Sequence, residues 1–120
     1  MDIIVTLPAK TKWEEYQKEL DLVLDGTTVM NFKVPVMPKC VAGDNCFLVH
    51  KGYVVGFMVI VGVSRKEFTC SVTGKKWSGI FVERSGPFYE IVPFPMKGFQ
   101  GFRYANSAAL LEPKLKLQIP

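Results

Sequence analysis

The side chains best suited to chemistry lie in Lys97-Gly98-Phe99-Gln100-Gly101-Phe102-Arg103-Tyr104, where two glycines bracket an amide and aromatic residues alternate with positive charge. Bases stack on rings or guanidinium planes while Lys and Arg neutralise phosphate, so this composition suits a single strand or a flipped base. Gly98 and Gly101 let backbone N–H groups approach a ligand closely, and the Gln100 amide can read a base edge. The same pattern also fits Phe99 and Phe102 lying in the core beneath a Gly-rich connection, the commoner fate of aromatic residues.

A second cluster is Lys75-Lys76-Trp77, joined by Arg84 further along. An exposed Trp beside two lysines binds nucleic acid or an anionic headgroup, whereas lysines at a turn also serve solubility and Trp77 can point inward. In the binding reading, Lys75, Lys76, Arg84, Lys97 and Arg103 meet phosphate, and Trp77, Phe99 or Tyr104 stacks on a base.

No catalytic set is recognisable. His50 is the one histidine, and the chain has no G-x-S-x-G elbow, Walker loop or H-E-x-x-H. Glu83 and Glu90 are the acids nearest the basic cluster, and pairing with Arg84 or Arg103 is a simpler role for them than catalysis. Cys40, Cys46, His50 and Cys70 are suitable zinc donors, but no C-x-x-C pair occurs, and Cys46 and His50 on one strand stand about 13 Å apart by strand rise. No metal or other cofactor is expected, and the cysteines read as small buried hydrophobes.

The totals bound the rest. With 120 residues, 48% hydrophobic and 22% charged, a single domain over 1–120 with one core is expected. Residues 1–60 carry 6 Lys/Arg against 7 Asp/Glu, and residues 61–120 carry 9 against 4, so the second half is the basic one. Such asymmetry favours a polyanion or an acidic protein partner and is equally compatible with a solvated basic face. Three cysteines and an N-terminus without a basic leader favour a cytoplasmic location. The longest apolar run, Tyr53 to Val63, falls short of the roughly 20 residues of a membrane-spanning helix, so no membrane partner is expected.

These side chains must be positioned mainly by strands. Ile3-Ile4-Val5 reads as a strand stopped by Pro8. Thr11 with Glu14 forms a capping-box pattern, and Trp13, Tyr16, Leu20, Val23 and Leu24 repeat at helical spacing as far as Asp25-Gly26. Val29 to Val36, interrupted by Pro35 and followed by Pro38, reads as an edge strand or a crossing loop. Cys46 to His50, a Lys51-Gly52 turn and Tyr53 to Val63 make a hairpin whose second arm, apolar on both faces, should be central, with Gly56 and Gly62 as bending points. Phe68–Val72, Trp77–Glu83 and Phe88–Val92 read as further strands joined by turns at 73–76 and 84–87. Asn106 to Leu111 reads as a short helix, and the alternation of Leu115, Leu117 and Ile119 as a closing strand. The fold class is therefore α+β: a small curled sheet or barrel of about six to seven strands, one N-terminal helix and one short C-terminal helix.

The run Gly43-Asp44, Cys46-Phe47-Leu48-Val49-His50-Lys51-Gly52 and Val54-Val55-Gly56 with its apolar continuation to Val63 resembles the PUA-like superfamily, within it the ASCH and EVE domains. The resemblance covers about a third of the chain and rests on turns and apolar strands. It implies a small β-barrel flanked by helices and, as in many members, binding of RNA or a modified base. It carries over no catalytic residue and no aromatic cage. Three functions remain open at this point: a nucleic-acid-binding module, a small nucleoside or amide hydrolase of ASCH type, and a protein-interaction domain.

Overall fold

A computed structural model describes residues 1–70 and 73–105. The β-branched opening forms β1 (Ile3–Thr6), which is followed by α1 (Trp13–Val23) and β2 (Met30–Val34). Next come β3 (Asn45–His50), β4 (Tyr53–Thr69), β5 (Lys76–Pro95) and β6 (Phe102–Tyr104). They make one six-stranded mixed sheet in the order β2-β5-β4-β3-β1-β6, with β1 parallel to β3 and the other pairs antiparallel. The expected short C-terminal helix and closing strand fall at 106–119, outside the described residues.

Helix α1 buries Tyr16, Leu20 and Val23 against the sheet and turns its charged side outward, as the 3.6-residue period requires. Glu14 and Glu15 sit in its first turn, where the helix dipole favours negative charge. The capping box does not form. Lys12 is the N-cap and makes no side-chain cap bond, because Thr11 is tied into a preceding turn in which its N–H donates to the Pro8 carbonyl at 2.9 Å.

Both sheet faces are covered. Ile3, Val5, Leu48, Met58, Ile60 and Val82 pack under α1, and Ile4, Phe47, Val49, Val54, Phe57 and Ile91 form a second cluster closed by Phe94, Met96 and Phe99. The chain has room for two apolar layers because β4 lies between β3 and β5 and is apolar on both sides.

The sheet curls into a half-barrel. Its edge strands approach at one point, where Gly101 packs close to Pro35, and the Lys39 N–H donates to the Tyr104 hydroxyl at 3.0 Å. The three separate strands expected over 68–92 are instead the two arms of one long hairpin, 17 and 20 residues long. Arg84-Ser85-Gly86-Pro87 does not turn the chain. The hydroxyl of Ser85 donates to the Val23 and Thr28 carbonyls, and residues 86–88 are absorbed as an irregularity between the pairs Phe57↔Tyr89 and Val59↔Ser85. Register shifts also fall at Val54/Gly56 and Ile60/Gly62, so the two glycines singled out as bending points mark where the ladder steps.

Candidate ligand cleft at the bulged end of the long hairpin

A cleft of ≈ 340 Å³ opens between the start of α1 and the beginning of the hairpin, lined by Trp13, His50, Val55, Phe88, Glu90, Ile91 and Pro93. Four of these residues come from β5, and the register explains why. Between Phe57↔Tyr89 and Val59↔Ser85, and again between Val54↔Phe94 and Gly56↔Glu90, β5 holds more residues than the facing stretch of β4. The surplus is pushed off the ladder, which brings Phe88 against Trp13 at the start of α1.

Trp13 is the hub of the wall. Its ring stacks on His50 at 5.0 Å and 29° and on Tyr16 at 5.7 Å and 26°, and meets the edge of Phe88 at 5.9 Å. His50 closes β3 and carries a solvent-shielded Nδ1 with no hydrogen-bond partner among the described residues. Burial, with a smaller contribution from Lys51, holds its pKa below the ordinary imidazole value, so the ring is neutral at pH 7. The cleft thus presents the Trp13 and Phe88 rings, one carboxylate and one neutral imidazole, a surface suited to a planar heteroaromatic ligand.

Behind the wall lies an unusual buried group. Arg84 is 3% exposed, its Nη1 donates to the Tyr16 hydroxyl at 3.0 Å, and its Nε has no partner. No carboxylate among the described residues forms an ion pair with it. The Cys46 thiol beside it is pushed up to about 11 by burial, so it stays protonated and supplies no counter-charge at neutral pH.

The structure divides the residues selected from the sequence. Lys97, Phe99 and Gln100 lie near the cleft end of the sheet, since the Met96 N–H donates to the Gly52 carbonyl in the turn after His50. The Phe99 N–H donates to Thr6 Oγ1 at 3.1 Å, the Phe99 ring packs on the second core cluster, and the Arg103 guanidinium covers it at 4.2 Å. Tyr104 is partly exposed with its hydroxyl engaged by Lys39. Lys75, Lys76 and Trp77 stand at the opposite end of the β4–β5 ladder, where Thr69 faces Lys76, and do not join this group. Arg84 belongs to neither surface, because burial keeps it from reaching a phosphate outside.

Sequence reading missed Trp13, Phe88 and Pro93 as site residues. It also missed Lys10, Lys12 and Lys51, exposed positions beside the start of α1 and the end of β3 that ring the same end of the sheet as Lys97. The available signals were Gly86-Pro87, Pro93 and Pro95, which interrupt a strand pattern and mark bulges. Among the described residues, no group of three or more His, Cys, Asp or Glu is placed to hold a metal ion. No helix among them is long and apolar enough to cross a membrane.

No family model and no curated protein matches this sequence. Among solved structures, two mutants of the ZmASCH protein from Zymomonas mobilis, one tyrosine-to-phenylalanine and one serine-to-alanine, are similar to it in fold. They superpose with TM-scores of 0.58 and 0.57 at 12% identity, over 94% of this chain and 98% and 96% of theirs. A likeness that spans nearly both whole chains at such low identity is one of architecture: this chain has an ASCH-like half-barrel fold.

Proposed function

We propose that this domain binds single-stranded nucleic acid by taking one base into the cleft lined by Trp13, His50 and Phe88. The supporting observation is the cleft itself, whose ≈ 340 Å³ falls at the small end of ligand pockets and whose wall is built from Trp13, His50 and Phe88. Base stacking on aromatic rings contributes about 1–3 kcal/mol per base and tolerates any sequence, while Glu90 and His50 supply polar atoms for the base edge. Exposed Lys10, Lys12, Lys51 and Lys97 at the same end of the sheet are placed to neutralise the flanking phosphates. The ASCH-like architecture is consistent with this reading.

The test is fluorescence titration of short labelled RNA and DNA oligonucleotides against the wild type and Trp13→Leu. Binding that weakens about tenfold or more in the variant, with an unchanged circular dichroism spectrum, supports the proposal. Equal affinity of the two proteins, or no binding by the wild type, overturns it.

One observation favours a second reading. His50, neutral at pH 7, and Glu90 line one cleft, which is the minimum equipment for acid–base hydrolysis of a nucleoside amide. Turnover of modified nucleosides that disappears in both His50→Gln and Glu90→Gln would establish it. Binding without turnover leaves the first reading.

A further inference from the structure

The far end of the long hairpin leaves the body of the sheet. β3 accompanies β4 only from Tyr53 to Val59, and β2 accompanies β5 only from Ile80 to Arg84. Beyond Ile80 the pairs Lys66↔Gly79, Glu67↔Ser78, Phe68↔Trp77 and Thr69↔Lys76 have no other strand beside them among the described residues. They form a two-stranded ribbon, finished by a turn in which the Cys70 N–H donates to the Lys75 carbonyl at 2.8 Å.

A free ribbon needs internal support, and the face that carries Lys66, Phe68 and, opposite Phe68, Trp77 is anchored at its base, while Arg65 and Lys76 point to the other face. Lys66 pairs with Glu83 at 2.8 Å and lies 5.3 Å from the Phe68 centroid, while Phe68 meets the edge of Phe81 at 5.0 Å. Those contacts anchor the base of the ribbon to the core. The other charges are not used this way. Arg65, Lys75 and Lys76 are exposed and form no ion pair among the described residues, against a single exposed acid, Glu67. Trp77 is 37% exposed, with the Lys75 ammonium 5.0 Å from its ring centroid. The exposed part of the Trp77 ring, beside the Lys75 ammonium, is open to a ligand. It suits a partner with both negative charge and flat faces.

We propose that this ribbon is a second contact for the same nucleic-acid strand, with Arg65, Lys75 and Lys76 meeting the phosphate backbone and Trp77 stacking on a base. The proposal extends the cleft reading to a longer ligand. From Gly56 at the cleft to Thr69 at the ribbon tip, β4 covers about 40 Å of contour at ~3.3 Å per residue. At about 3.4 Å per stacked nucleotide, this calls for a strand on the order of ten nucleotides, and four nucleotides cannot bridge it.

The test uses fluorescein-labelled single strands of mixed sequence, 4 and 20 nucleotides long, measured by anisotropy over a salt series. The proteins are the wild type, the triple variant Arg65→Gln/Lys75→Gln/Lys76→Gln, and Trp77→Ser. The ribbon proposal expects the triple variant to bind the 20-mer at least about tenfold more weakly, with a log K against log salt slope shallower by about 2, and the 4-mer unchanged. Trp77→Ser should weaken the 20-mer about fivefold or more with no change of slope. Equal 20-mer affinity for the wild type and both variants, or no 20-mer binding by the wild type, overturns the ribbon contact. If the 20-mer depends on the ribbon but is indifferent to Trp13→Leu, the cleft reading fails and the ribbon contact stands.

Discussion

The Phe88 ring lies directly over the bare α-carbon of Gly56, so that a Cβ at Gly56 would overlap both that ring and the Tyr89 carbonyl oxygen. The glycine is what allows the first β5 bulge to fold down onto β4 and present Phe88 to Trp13. Gly56→Ala should therefore push Phe88 out of the wall and cost about 1–3 kcal/mol, the usual penalty of overpacking. Urea unfolding gives the stability loss, and a change in Trp13 fluorescence in the folded protein reports the displaced ring. Unchanged values for both would mean that Phe88 is not held by Gly56.

Arg84 and Tyr16 make a second coupled pair. Removing the hydroxyl leaves a guanidinium that is already short of partners with one fewer, so Tyr16→Phe should destabilise by about 1–3 kcal/mol. Replacing both with apolar groups removes the need for the bond. The double variant Arg84→Met/Tyr16→Phe should be closer to the wild type than Tyr16→Phe alone, because burying a cation is costly. Denaturant titration of the three proteins decides the matter. A double variant weaker than the single one would show that the guanidinium stabilises the fold through contacts other than Tyr16.

Arg84 also shows where the sequence stops being informative. Its neighbours, a run of Arg-Ser-Gly-Pro, have the composition of an exposed turn, and only the long-range pairing of β5 with both β4 and β2 turns that run into a buried, bulged strand. Local chemistry was enough for the helix at Trp13–Val23, the edge strand ending at Pro35 and the central position of β4, because each follows from periodicity or from proline. It was enough for the ladder steps at Gly56 and Gly62 because a glycine inside a strand marks a bulge or bend. The cleft was not legible, since Trp13 and Phe88 are 75 positions apart and meet only because two bulges lift part of β5 toward α1. Phe99 was legible as either a core or a binding residue, and its composition alone does not separate the two.

His50 should carry a pH signature. Its folded-state pKa is depressed by burial, so the folded protein binds the proton less readily than the unfolded chain does. Its contribution to stability is full above the unfolded value near 6.5 and is lost as pH falls from there through the lower folded value. Stability measured from pH 8 to 5 should drop more in the wild type than in His50→Gln, and Trp13 emission should change over the same window because the imidazolium would stack against its ring. Parallel stability curves for the two proteins would remove the argument.

The segment at 97–104 can be sorted by pairing two substitutions. Phe99 packs on the cluster of Ile4, Phe47, Val49 and Ile91, so Phe99→Ala should cost about 2–4 kcal/mol of stability. Arg103 is exposed and only covers the Phe99 ring at 4.2 Å, so Arg103→Ala should cost at most about 1 kcal/mol, the size of an exposed cation–π contact. If the guanidinium serves phosphate as well, the same Arg103→Ala protein should bind the 20-nucleotide strand more weakly, with a salt slope reduced by about one contact. Denaturation and anisotropy on these two variants separate the roles, because loss of a core ring reads out in stability and loss of a phosphate contact reads out in affinity and salt slope. A stable Phe99→Ala variant would place that ring outside the core, and an Arg103→Ala variant with unaltered salt dependence would confine the arginine to covering it.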